Sequence, residues 1–137
     1  MVDKNNYTSV EMGEIKDIWE KQSYGMKGKY FLKEHLGLTS CEVSLGAIPA
    51  NKAIPFLHSH KENEETYIFI QGNGIFYIDG EKLPIKEGSV IKVKPDGVRG
   101  IKAGTENLIY FCIQAKENTL NQSTKEDGII SDKKPIW

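Results

Sequence analysis

The sequence predicts an all-β domain, an antiparallel sandwich or barrel. Three observations carry that expectation. Eight short runs rich in Ile, Val, Tyr and Phe follow one another between residues 38 and 116. Clusters of Gly, Pro, Asn and Asp separate them. Little helix-like patterning lies between the runs, which points to a sandwich or barrel.

The expected strands are Ser40–Ala47, Ile54–His60, Glu65–Ile70, Gly74–Asp79, Glu81–Ile85, Ser89–Val93, Val98–Lys102 and Leu108–Ala115. Asp79-Gly80 between two of them is a type I′ hairpin signal. Gln71 to Gly74 and Lys94 to Gly97 are further turn clusters. Residues 1–37 form an N-terminal arm. Met12, Ile15, Ile18 and Trp19 recur in it at helical spacing within Glu11–Lys21, although Gly13 weakens the pattern. A second helical turn is expected at Phe31–His35, ended by Gly37. Residues 117–137 are polar and read as a surface tail pinned by Ile136 and Trp137, with Trp19 and Trp137 as packing anchors.

A chain of 137 residues makes one compact domain. At this size a domain buries roughly two thirds of its unfolded surface, so neither a disulfide nor a structural metal is required. The formal net charge of -1 gives no electrostatic footprint for nucleic acid, and the scattered lysines form no membrane-binding patch. No secretory h-region and no membrane-length apolar run is present, so a cytoplasmic protein is expected. Cys41 and Cys112 fit no zinc or redox spacing and read as small buried hydrophobes.

The chemistry-bearing stretch runs from Pro55 to Glu65. His58 and His60 lie two apart on the expected strand Ile54–His60, so both imidazoles leave one face. Two histidines and a carboxylate form the ligand set of many Fe(II) centres, and Mn, Zn, Ni or Co would also be accepted. Two of the chain's three histidines sit here. After Glu65, six residues lead to Gly72. With four residues between His60 and Glu65, this stretch resembles the first motif of the cupin superfamily. Gly46 would open the motif after a lengthened gap, and Glu64 fits its spacing less well than Glu65. The resemblance implies a double-stranded β-helix, or jelly roll, closed around a pocket. It also implies a metal ion on His58, His60 and Glu65 near the barrel mouth.

The second motif departs from the family. Gly88 opens it and Pro95-Asp96-Gly97 follows, but Arg99 stands where a histidine ligand is expected. Arginine has no lone pair to offer a metal. Three arrangements are open: a three-ligand metal, an Arg99–Glu65 pair that excludes metal, or His35 as substitute ligand. Arg99 is the one arginine against 17 lysines, which suggests a need for the planar fork that binds carboxylate or phosphate. Arg99 is therefore an expected substrate contact, and Tyr67, Phe69 and Tyr77, on strands that can face inward, are expected beside it. Phe56, Tyr110 and Cys112 lie on strands that can also face inward. If catalytic, the resemblance implies a metal-dependent oxygenase, isomerase or decarboxylase. The alternative is a non-catalytic module holding a sugar, an organic acid or a metal. The resemblance further implies a homodimer.

Overall fold

A computed structural model describes all 137 residues. The chain runs through β1 (Val2–Asp3), β2 (Thr8–Ser9), a 3-10 helix (Ile15–Glu20), β3 (Gln22–Ser23), β4 (Met26–Lys27) and β5 (Lys29–Phe31). It continues through α1 (Lys33–Leu36), β6 (Glu42–Ile48), β7 (Asn63–Gln71), β8 (Asn73–Ile78) and β9 (Glu81–Lys86). The remaining elements are β10 (Val90–Val93), β11 (Arg99–Ala103), β12 (Leu108–Lys116) and α2 (Thr124–Asp127). Two antiparallel sheets face each other. One has the order β10-β7-β12-β6-β5 and the other β11-β8-β9. No helix is long and apolar enough to cross a membrane.

Alternation along each strand sorts residues between two cores. Tyr67 and Phe69 of β7, Phe76 of β8 and Tyr110 and Cys112 of β12 point between the sheets, with Ile85, Val93 and Ile101 closing the main core. The opposite face of the five-stranded sheet is also apolar. Leu45, Ala47 and Ile109 form a second cluster with Ile18, and Met12, Ile15 and Trp19 pack onto it. The N-terminal arm thus covers the outer face of its own sheet, and β5 joins that sheet as an edge strand.

Several local expectations change. The Glu11–Lys21 helix contracts to the short 3-10 helix Ile15–Glu20, because Gly13 adopts a positive φ of 87°. The second helical turn is Lys33–Leu36, and Gly37 ends it in the left-handed region at φ 66°. The run Ile54–His60 is not a strand. Its backbone pairs with β11 at isolated bridges, Ala53–Lys102 just before the run and His58–Arg99 within it. Pro55 removes one donor from any ladder there. The hairpin at Asp79-Gly80 has positive φ at both residues, as a type I′ turn requires. The tail is not pinned: Ile136 and Trp137 are fully exposed. Cys41 and Cys112 are unpaired.

Candidate metal and ligand site

The site begins with β7. Its inward face carries Glu65, Tyr67 and Phe69, while Glu64 faces the other way. The carboxylate that fits the motif spacing is therefore the buried one. Irregular segment 54–60 brings the histidines to it. His58 and Arg99 exchange both backbone hydrogen bonds at 3.0 Å, and the His60 amide donates to the Pro95 carbonyl at 2.9 Å. His58 Nε2 then lies 3.3 Å from Glu65 Oε1, and His60 Nε2 lies 3.3 Å from Oε2. One ligand atom from each of the three residues falls within 4.8 Å of the others.

Further donors hold the carboxylate. The Tyr67 hydroxyl donates to Oε1 at 2.6 Å, and Arg99 Nε donates to the same oxygen at 3.1 Å. The Cys112 thiol donates to Oε2 at 3.1 Å. Burial pushes the Tyr67 and Cys112 pKa values up, and the neighbouring Glu65 charge adds to that, so both keep the protons they donate. Burial alone would raise the Glu65 carboxyl. The hydrogen bonds from His58, Tyr67 and Cys112 outweigh it and hold the group well below the usual carboxylate range. Burial lowers the His60 imidazole despite the opposing pull of Glu65, which favours the neutral form that can ligate.

Arg99 is sealed from solvent. Its guanidinium donates to the carbonyls of Gly97 and Pro95 as well as to Glu65. Nη2 lies 3.1 Å from Glu65 Oε1, but the angle makes no hydrogen bond, and this is the buried side-chain polar atom left without a partner. Arg99 thus fixes Glu65 and closes the 95–99 turn. That engagement leaves little of its fork for a ligand.

These residues border a cavity of about 290 Å³. Tyr67, Tyr110, Cys112 and the exposed Phe56 line it, and so does Arg99. Two expected contacts do not. Phe69 shares the face of Tyr67 but is buried in the core against Phe76 and Tyr110, at ring-centroid separations of 6.3 and 5.6 Å. Tyr77 has the opposite parity on β8 from the inward Phe76. His35 stays outside, stacked on Tyr30 at 4.9 Å. The sequence reading missed Lys29, Ser44 and Gln114, which line the same cavity. Ser44 and Gln114 follow from strand parity once β6 and β12 are in register. Lys29 carries no signal of its own among 17 lysines.

The donor set fits a first-row ion. Ligand atoms about 2.0–2.2 Å from one tetrahedral ion sit roughly 3.3–3.6 Å apart, and both His–Glu separations of 3.3 Å fall at the short end of that range. The hydrogen bonds onto Glu65 are of the kind that orients a ligating carboxylate.

The comparisons agree with this fold. No family model matches the chain. The crystal structure of a cupin protein from Bacteroides fragilis shares 33% identity, covers 93% of this chain and 99% of that one, and superposes with a TM-score of 0.80. The chain belongs to the cupin family, and its barrel is of the double-stranded β-helix type. A double-stranded β-helix protein from Klebsiella pneumoniae shares that fold at 20% identity, with a TM-score of 0.64 over 80% of this chain and 93% of that one. So does a predicted oxalate decarboxylase from Thermotoga maritima, at 24% identity, with a TM-score of 0.51 over 54% of this chain and 64% of that one. An uncharacterized protein from Methanocaldococcus jannaschii is 38% identical over 39 residues, which is 28% of this chain and 31% of the relative. That match spans about a third of the curated relative.

Proposed function

We propose that this cupin binds a small organic molecule beside a divalent first-row metal ion held by His58, His60 and Glu65. The observation that carries the reading is the convergence of two imidazole Nε2 atoms on one buried carboxylate at the wall of a ligand-sized cavity. A bound ion would supply Lewis acidity to a ligand oxygen. The chain's own residues do the rest. Tyr67, Cys112 and Arg99 fix the carboxylate, and cavity aromatics exclude water from the ligand. Isomerisation, decarboxylation and oxygenation are the reaction classes open to such a site.

The ion pair between Arg99 and Glu65 supports a second reading, a metal-free binding module. There the two histidines donate to Glu65 and the cation already neutralises it. Calorimetric titration of chelator-treated protein with Zn²⁺, Mn²⁺, Co²⁺ and Ni²⁺ separates the two. The first reading predicts stoichiometric binding that His58→Ala and His60→Ala each weaken by an order of magnitude or more. Equal, weak binding by all three proteins supports the metal-free module.

A further inference from the structure

The inner face of the five-stranded sheet carries a second polar group set beside Glu65, with Gln114 directly opposite Glu65 in the β7–β12 register and Lys29 two rows further along. Across β7, β12, β6 and β5, one row reads Phe69, Tyr110, Gly46, Lys29, and the next reads Tyr67, Cys112, Ser44, Phe31. Gly46 has no side chain, so the Tyr110 ring lies across it. A Cβ at Gly46 would collide with the ring and hydroxyl of Tyr110. The Lys29 ammonium consequently sits 5.1 Å from the Tyr110 ring centroid and 5.3 Å from that of Phe31.

Lys29 makes no ion pair, unlike Arg99, whose charge is matched by Glu65. Glu65 is the one acidic residue lining the cavity, so the Lys29 charge is left unbalanced there. Burial pulls its pKa below the ordinary value, although Cys112, Glu65 and Glu42 partly oppose this. Ser44, on the next row of that face, lines the same cavity. Gln114 accepts one hydrogen bond from Asn63 at 3.0 Å, which leaves its amide nitrogen free. Half of the lining residues are apolar, among them Met26, Phe31, Ile54 and Phe56.

We propose that Lys29, Ser44 and Gln114 form a carboxylate-binding subsite, so that the cavity's ligand is a small organic acid with an apolar body. This rests on reading the cavity as a small-molecule site and adds the group that selects the ligand's charge. A carboxylate supplies the missing counter-charge and accepts from all three donors. An apolar body packs on the Met26, Phe31 and Phe56 side.

The test is calorimetric binding of butyrate, hexanoate and benzoate against their primary amides, with wild type, Lys29→Met and Lys29→Arg. Wild type is expected to prefer the acids by about tenfold or more, the range of one charge-assisted hydrogen bond. Lys29→Met should lose that preference, its acid affinity falling far more than its amide affinity, while metal content stays that of wild type. Lys29→Arg should retain part of it. Equal binding of acids and amides by wild type, or a preference surviving in Lys29→Met, overturns the subsite and leaves the cavity reading standing. Failure of wild type to bind any of the six compounds overturns both.

Discussion

Glu65 is the residue on which the site turns, and Arg99 is what holds it in place. The guanidinium is fully buried and gives Glu65 its fixed counter-charge. Removing one member of a buried ion pair leaves the other uncompensated, at a cost of about 3–5 kcal/mol. Arg99→Leu is therefore expected to lower stability by that amount in urea unfolding. A loss under about 1 kcal/mol would mean that the pair is open to water, as exposed pairs are. Lys29 is expected to behave in the opposite way. Its folded-state pKa lies below its unfolded value, chiefly through burial, so the unfolded chain binds the proton more readily. Stability then rises with pH between the folded value and the ordinary 10.5. Lys29→Met should raise the thermal midpoint at neutral pH, and the gap from wild type should narrow as pH approaches 10.5. Thermal melts of both proteins across that range check it.

At the scale of elements, β6 serves two cores at once. Leu45 and Ala47 meet the N-terminal arm, while Ser44 lines the cavity and Gly46 lies under the Tyr110 ring. Gly46→Ala forces the Tyr110 ring aside, and such overpacking costs about 1–3 kcal/mol. The same displacement moves the Lys29 ammonium, so acid binding should fall together with stability. Ile18→Ala tests the other face. It empties the contact between the 3-10 helix and the sheet, for an expected loss of about 2–5 kcal/mol in chemical denaturation.

The succession of strands and the hairpin at Asp79-Gly80 were readable because β-branched runs and Gly-rich turns mark them directly. The metal-ligand candidates were readable because spacing, not contact, defines the motif. Parity marks the limit of such reading. Tyr77 could be placed outside only once β8 was paired with β9 and β11. Phe69 was beyond parity altogether, since it shares a face with Tyr67 and differs in depth. The segment 54–60 reads as a strand from composition, yet its bonds go to β11 through isolated bridges, a tertiary choice with no local signature.

For the molecule as a whole, mass and stability are concentrated in the barrel and its arm. Past residue 117 every side chain is exposed, including Leu120, Ile129, Ile130, Ile136 and Trp137. Deleting residues 118–137 should leave the thermal midpoint within about 2 °C of wild type, since exposed surface carries little folding energy. A larger drop would show that the tail packs on the barrel or on a partner copy. Dimerisation remains our proposal. The arm covers the outer sheet face in cis, so a partner copy would have to use another surface, and sedimentation analysis of full-length and truncated protein measures whether one does.

Anomalous scattering from crystals grown with excess Mn²⁺ or Zn²⁺ is the most direct measurement on the metal centre. The expected result is a single strong peak about 2.0–2.3 Å from Nε2 of His58, Nε2 of His60 and one oxygen of Glu65. A metal-free density map at that point, with the Arg99 guanidinium and both imidazoles still bonded to the carboxylate, would contradict it.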